Sequence, residues 1–260
     1  MSNKHVEYKR IVAGADKAVL CIHGILGTPN HFRDLIPLIP ENYSVFAMVT
    51  AGHCSTVSDF NHSSLQAWED SVQKAIDELL KTHKEVYILA HSMGNLLAIE
   101  QAIKEPRIKG LFCISIPIKV GVRTRIIGIA ARVYRKKYKH KEFPEDRHEV
   151  YKDKDLMAPI CSECYGITDT KNIFKYLGWV PRFIDLFKLI KRVRKNLNKL
   201  NTPCVAYQSI PDELVSPKSI KILKNESKIK VVALEDSTHF YYDEKDMELL
   251  SADFKAFLNT

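Results

Sequence analysis

Three polar residues have the side-chain types and the chain order that acyl transfer by a nucleophilic serine requires. Ser92 follows an apolar run at residues 86–89, and Asp212 and His239 each follow a later apolar run. A serine hydroxyl at its ordinary pKa is a weak nucleophile, so it needs a base and a group that holds the base in the correct tautomer. We therefore predict Ser92 as the nucleophile, His239 as its base and Asp212 as the residue that orients the base.

The segment Ala-His-Ser-Met-Gly at residues 90–94 has the form of a nucleophile elbow between a strand and a helix. In such a turn the strand and the helix nearly touch, so only small side chains fit at Ala90 and Gly94. The turn also forces the serine into strained backbone angles and leaves the next N–H free at the helix N-terminus. An ordinary serine in a strand-to-helix turn is the alternative.

A second loop, residues 23–27, is the place from which another oxyanion donor would come. A tetrahedral intermediate needs two preorganised donors, and losing one typically costs on the order of a hundredfold in rate. We predict the backbone N–H groups of Ile25 and Met93 as these donors. His23 and Gly24 are expected to line the substrate site, with the His23 imidazole tying the loop down. The alternative is an ordinary turn that glycine makes possible and that has no catalytic role.

Three neighbouring residues compete for roles at this site. Asp236 lies only three positions before His239, which makes an approach to its imidazole awkward, and Glu213 is expected to face solvent. His91 adjoins the nucleophile, but an elbow should direct its side chain elsewhere. No H-E-x-x-H or other metal-ligand spacing occurs, so we expect no metal and no cofactor.

The elements that must position these residues alternate along the chain. Short apolar runs typical of strands buried on both faces alternate with stretches of helical periodicity, which predicts an α/β fold with a mostly parallel sheet and helices on both faces. The carboxyl ends of parallel strands share one edge, where the three residues would converge. The predicted strands are residues 8–12, 18–23, 44–49, 86–90, 108–116, 204–208 and 228–234.

Two helices have clear sequence signals. Apolar residues repeat at three- and four-residue spacing over residues 64–82, and Ser63 with Gln66 predicts a capping box at the start of that helix. Another amphipathic helix is predicted near the C-terminus, where Asp243 would complement the helix dipole.

Together these motifs resemble the α/β-hydrolase superfamily, in particular its bacterial carboxylesterase and monoacylglycerol-lipase-like members. The resemblance implies the α/β-hydrolase fold with an inserted helical cap, and a serine hydrolase acting on short-to-medium acyl esters or monoacylglycerol-like lipids. The chain has Ala90 and Asn95 where the family usually has glycine. The matching motifs are His23-Gly24, Gly52-His53, the elbow at Ser92, D-x-x-V-x-P from Asp212 to Pro217, and S-x-H from Ser237 to His239.

Two other functions stay open on the same residues. The triad would equally serve thioester hydrolysis, acyl transfer or carbon–carbon bond hydrolysis, because the substrate pocket rather than the triad decides among these reactions. A ligand-binding protein without activity is the other alternative. Such a protein has no need to keep every catalytic part, whereas this sequence has all of them.

Residues 117–200 interrupt the alternation and carry 21 Lys and Arg against 9 Asp and Glu. We expect residues 1–116 and 201–260 to form the hydrolase core and residues 117–200 to form a basic helical insertion. In the resembled family this insertion caps the active site and supplies the acyl pocket. Its apolar residues, here Ile127 and Trp179 among them, would then contact the substrate. A solvated cap packed only for stability is the alternative.

The positive charge of the insertion has three explanations. The basic surface lies against anionic lipid, attracts an anionic substrate to the site, or is simply solvated. No nucleic-acid recognition motif accompanies it, so we expect no nucleic-acid partner. The first residues contain no apolar run of signal-peptide length, which favours the cytoplasm, and the six cysteines are expected to be free thiols.

Overall fold

Seven strands form one mostly parallel sheet in the computed structural model, which describes residues 6–121, 159–161, 164–165 and 171–259. The strands are β1 (Tyr8–Arg10), β2 (Lys17–Ile22), β3 (Ser44–Met48), β4 (Glu85–His91), β5 (Ile108–Ile114), β6 (Pro159–Cys161), β7 (Cys164–Tyr165), β8 (Cys204–Ser209) and β9 (Ile229–Leu234). The sheet order is β1-β3-β2-β4-β5-β8-β9. Only β1 in this sheet runs antiparallel to its neighbour, and β6 pairs with β7 apart from it.

Six α-helices lie in the described part of the chain. They are α1 (Val57–His62), α2 (Leu65–Leu80), α3 (Met93–Lys104), α4 (Trp179–Asn196), α5 (Lys218–Leu223) and α6 (Glu244–Leu258), with 3-10 turns at Pro29–Phe32, Ile36–Leu38, Ile173–Tyr176 and Leu197–Lys199. None of these helices is both long and apolar enough to span a membrane.

Helices cover both faces of the sheet, and this explains the continuous apolar runs. In β2, Leu20 and Ile22 join the core on the side of α2 and α3, whereas the alternate residue Cys21 joins a second core that includes Phe254 of α6. Because side chains alternate along a strand, a strand covered on both faces needs apolar residues at every position. The predicted fold class is confirmed.

The predicted capping box at Ser63 is wrong by one residue. Ser64 is the N-cap of α2, and its hydroxyl accepts the Ala67 N–H at 3.1 Å. Ser63 ends α1 instead, so its hydroxyl donates to the Phe60 carbonyl at 2.8 Å and accepts from the Trp68 indole. The helix that requires Ser63, α1, was not delimited from the sequence. At the C-terminal helix, Asp243 lies at the start of α6, where it was predicted to complement the helix dipole. It is also the N-cap, and its side chain accepts the Lys245 N–H.

Helix α4 lies within the predicted basic insertion. Its apolar face, including Leu189 and Val193, packs into the core beside α2 and α3. Arg192 on the same helix pairs with Glu69 of α2 and Glu100 of α3. The amphipathic character predicted for this region is therefore confirmed for α4. Residues 122–158, where much of the predicted cap falls, lie outside the described residues.

The chain that leads into this region is joined to the loop after β8. Val120 and Val215 form an isolated antiparallel bridge. Around it, the Gly121 N–H donates to the Leu214 carbonyl at 3.1 Å, and the Ser216 N–H donates to the Lys119 carbonyl at 2.8 Å. Residues 119–121 thus form a backbone strap against the loop that carries Asp212.

Candidate active site

Ser92 is a one-residue turn between a strand and a helix. β4 ends at His91 and α3 begins at Met93, and Ser92 has φ 51° and ψ −122°. A Cβ atom at Gly94 would lie 2.1 Å from the Ile22 carbonyl oxygen, so α3 begins in contact with the backbone of β2. The strain predicted for the elbow and the size limit predicted at Gly94 are both present.

The three polar residues predicted to act together meet at the carboxyl edge of the sheet. Ser92 Oγ lies 3.0 Å from His239 Nε2, and His239 Nδ1 lies 2.8 Å from Asp212 Oδ2. Asp212 follows β8 and His239 follows β9, and their side chains are only 1% and 2% exposed. Water is therefore excluded from the contact that orients the imidazole.

Asp212 and His239 each stabilise the charged form of the other, although both side chains are buried. Burial by itself raises the pKa of Asp212, but His239 and the Val215 and Leu214 N–H groups outweigh it and lower that pKa. Burial by itself lowers the pKa of His239, but Asp212, with a smaller contribution from Glu213, raises it above 6.5. An ionised carboxylate can only accept hydrogen bonds, so His239 Nδ1 donates to Asp212. His239 Nε2 is then left to accept the proton of the Ser92 hydroxyl.

The loop after β2 approaches the serine closely. A Cβ atom at Gly24 would lie 2.8 Å from Ser92 Cβ, so only glycine fits there. His23 Nδ1 donates to the Gly24 carbonyl at 2.8 Å, and the Thr50 N–H donates to His23 Nε2 at 3.1 Å. Burial lowers the pKa of His23 to about 3, so the ring stays neutral. His23 ties the loop down as predicted.

The sequence matches a known hydrolase family over most of its length. Residues 13–244 match the family described as "Serine aminopeptidase, S33". The chain belongs to this family. Its sheet topology and its solved neighbours show the α/β-hydrolase fold.

Two curated relatives and one solved structure illustrate the likeness to this α/β-hydrolase. A thermostable monoacylglycerol lipase from Bacillus sp. (strain H-257) is 24% identical over 85% of this chain and 82% of the relative. A carboxylesterase from Bacillus subtilis (strain 168) is 25% identical over 94% of this chain and 93% of the relative. A structure from work on the metagenome-derived lipolytic enzymes LipS and LipT matches with a TM-score of 0.71 and 18% identity, covering 98% of this chain and 97% of that one.

Asn95, where the family usually has glycine, has a structural partner in this hydrolase. Its side-chain amide donates to the Ile114 carbonyl at 2.7 Å, and the Ser92 N–H donates to the same oxygen at 3.0 Å. The departure from the family pattern thus fastens the first turn of α3 to the end of β5, directly below the elbow.

The structure describes one of the two pocket residues predicted in the insertion of this α/β-hydrolase. Trp179 is buried at the start of α4, where its ring contacts Phe60 of α1 and Tyr176. Ile127 lies outside the described residues.

Within the described ranges, no group of three or more His, Cys, Asp or Glu side chains is arranged to hold a metal ion.

Two residues that the sequence analysis set aside contact His239 directly. Glu213 does not simply face solvent, because its Oε2 accepts the His239 N–H at 3.1 Å. The prediction was wrong because a backbone N–H in a buried loop needs an acceptor, and Glu213 supplies it. His91 Nε2 donates to the His239 carbonyl at 2.9 Å. The sequence held one signal for this contact, because a histidine at the end of a buried strand needs a hydrogen-bond partner.

Proposed function

We propose that this α/β-hydrolase cleaves carboxylic esters through an acyl-enzyme formed on Ser92. The observation that carries the proposal is the chain of contacts from Ser92 Oγ to His239 Nε2, at 3.0 Å, and from His239 Nδ1 to Asp212 Oδ2, at 2.8 Å. A nucleophile, a base and a group that orients the base within hydrogen-bond reach are the arrangement that activates a serine.

In the proposed cycle, Ser92 Oγ attacks the ester carbonyl while His239 Nε2 takes its proton. Asp212 stabilises the imidazolium that forms, and the Ile25 and Met93 N–H groups donate to the oxyanion. Met93 begins α3, and the first N–H groups of a helix have no intrahelical acceptor. The imidazolium then gives its proton to the leaving alcohol. Water activated by the neutral His239 releases the acid and regenerates Ser92.

The proposed substrates are short-to-medium acyl esters or monoacylglycerol-like lipids. The names of two curated relatives, a monoacylglycerol lipase and a carboxylesterase, support this class. The family description names an aminopeptidase, which makes amide substrates the necessary comparison. A panel of p-nitrophenyl esters of graded chain length, a monoacylglycerol and an aminoacyl p-nitroanilide would separate these classes. Faster turnover of the anilide than of every ester would reject ester hydrolysis.

The nucleophile is tested by Ser92→Ala, which should abolish p-nitrophenyl ester hydrolysis and labelling by a fluorophosphonate probe while the far-UV circular dichroism is unchanged. Ser115→Ala is the matched control, because Ser115 is also buried at the end of a parallel strand and also has a positive φ, 55°. The control should keep both activity and labelling. Retained activity in Ser92→Ala would reject the proposed mechanism.

We also propose that α4 rests on an anionic lipid surface when the enzyme meets lipid substrates. Val180, Ile184 and Phe187 recur on one side of the helix and are 57%, 49% and 39% exposed. Phe174 and Leu177, just before the helix, are 78% and 62% exposed. An apolar stripe this exposed on an amphipathic helix is typical of helices that lie in a membrane interface.

Positive charge continues the same side of α4 toward its C-terminus. Lys191, Arg194 and Lys195 are exposed there, and each basic residue near an anionic bilayer contributes about 1 kcal/mol of attraction. The apolar end of the helix is the end near the site, because Trp179 contacts Phe60, Phe60 contacts His53, and His53 contacts His23. A docked α4 would thus bring the site toward the lipid.

Co-sedimentation with phosphatidylglycerol vesicles at low and high salt tests this surface, with phosphatidylcholine vesicles for comparison. The double variant Ile184→Ser, Phe187→Ser and the double variant Lys191→Glu, Lys195→Glu should each weaken binding. Leu249→Ser is the matched control, because Leu249 is also 39% exposed but lies on α6. Binding that is absent, or that does not depend on salt, would remove the proposal.

A further inference from the structure

The backbone of His239 is held from both sides by polar side chains, the buried imidazole of His91 and the half-buried carboxylate of Glu213. Its N–H donates to Glu213 Oε2 at 3.1 Å, and its carbonyl accepts from His91 Nε2 at 2.9 Å. The ring of the same residue bridges Asp212 and Ser92. Four groups therefore fix one residue, two through its ring and two through its main chain.

His91 is fixed in a stack that gives it one orientation. Its ring stacks on His31 with centroids 3.8 Å apart, and His31 Nε2 lies 3.1 Å from the Tyr242 hydroxyl. Burial, with the neighbouring His31 and His239, lowers the pKa of His91 well below 6.5. A neutral imidazole has a single N–H, and the contact with the His239 carbonyl requires it on Nε2. His91 is thus a neutral donor.

Glu213 brings a second carboxylate to His239. Its Oε1 is buried without a hydrogen-bond partner among the described residues. Burial and the neighbouring Asp212 raise the pKa of Glu213, while His239 lowers it. A buried carboxylate with one unsatisfied oxygen destabilises a fold unless something compensates. The compensation here is a favourable interaction with the imidazolium, because Glu213 raises the pKa of His239.

We propose that His91 and Glu213 are positioning residues that clamp the main chain of His239 so that its ring stays between Asp212 and Ser92. The inference rests on the proposed function, in which His239 is the base. Misplacing a catalytic group by about 1 Å can cost about a hundredfold in rate. The clamp should therefore act on turnover rather than on substrate binding.

The first test compares His91→Phe with His91→Gln. Phenylalanine removes the donor, whereas the side-chain amide of glutamine can reach the position of the imidazole Nε2. His91→Phe should lower kcat by about tenfold to a hundredfold and leave KM within about twofold, and His91→Gln should recover much of that loss. Equal kcat in both variants and the wild type would overturn the role of His91.

The second test compares Glu213→Gln with Glu213→Ala across pH. Glutamine keeps an oxygen that accepts the His239 N–H but removes the charge. Among the described residues, the ionisable groups in contact with His239 are Asp212, Glu213 and the neutral His91. Because Glu213 raises the pKa of His239, removing its charge should lower that pKa. The acid limb of the kcat/KM profile should then move to lower pH in Glu213→Gln, and kcat should fall further in Glu213→Ala.

Asp236→Asn is the matched control, since Asp236 is a carboxylate on the same loop whose described hydrogen bond is made by its backbone N–H to Asp246. It should leave kcat and the acid limb unchanged. An acid limb that stays in place in Glu213→Gln, together with unchanged kcat in Glu213→Ala, would overturn the role of Glu213. Activity that survives Ser92→Ala would instead reject the proposed function, so the two failures are distinct.

Discussion

The strained turn at Ser92 leads to a prediction about stability that separates backbone strain from lost chemistry. With φ 51° and ψ −122°, Ser92 occupies a region in which a residue with a Cβ atom costs about 1–3 kcal/mol. Ser92→Gly and Ser92→Ala both remove the hydroxyl, but only glycine removes the Cβ atom. Glycine costs roughly 0.4–1 kcal/mol through the greater freedom of the unfolded chain. Ser92→Gly should therefore be more stable than Ser92→Ala by about 0.5–2 kcal/mol.

Urea unfolding followed by circular dichroism measures this difference, with equal m-values showing that the two variants expose the same surface. In a chain of this size each kcal/mol corresponds to roughly 2–4 °C in Tm, so the glycine variant should melt about 1–8 °C higher. Ser44 in β3 provides the control because it is buried without a positive φ. There the glycine variant should be the less stable of the pair. A Ser92→Gly variant no more stable than Ser92→Ala would refute the strain argument.

Three further predictions follow from the site and the core. The kcat/KM profile for p-nitrophenyl acetate should fall on the acid side with a midpoint above 6.5, because the pKa of His239 is raised and only the neutral ring accepts the Ser92 proton; a midpoint at or below 6.5 in the pH–rate profile would contradict this. Gly94→Ala should lower the free energy of unfolding by about 1–3 kcal/mol or more, since its Cβ would meet the Ile22 carbonyl, whereas Gly121→Ala, with open space around it, should leave urea unfolding unchanged. Arg192→Leu should lower stability by about 1 kcal/mol at low salt and by less at high salt, because it leaves Glu69 and Glu100 without their shared partner; urea midpoints that do not depend on salt would argue against this.

Features that depend on short stretches of sequence were predictable. The elbow at Ser92 is a local steric problem, and the residue types at Ala90 and Gly94 reveal it. Asp212 and His239 were found because each follows an apolar strand, and the edge shared by parallel strands brings them together. The strand bounds agree within about two residues for the same reason, since burial on both faces leaves a continuous apolar signature.

Features that depend on distant pairing were not predictable. Glu213 and His91 acquire their partners from a loop 26 and 148 residues further along the chain. Nothing in the sequence around either residue specifies that partner. The error at Ser63 has a related origin, because the end of α1 uses the hydroxyl that the start of α2 was expected to use. In α4 the amphipathic pattern was visible, but its packing against α2 and α3 depends on how the whole sheet is covered.

The backbone strap at residues 119–121 offers a natural junction for exchanging the segment that follows it. Its hydrogen bonds to residues 214–216 are made by main-chain groups, so they are insensitive to side-chain identity. A chimera that begins its foreign sequence after Gly121 would keep the support of the Asp212 loop. One that begins before Lys119 would keep it only where the foreign backbone follows the same path. A recombination library built on the first junction should therefore return more active members than one built on the second. In the first library, the loop that carries Asp212 keeps its backbone support while the insertion varies.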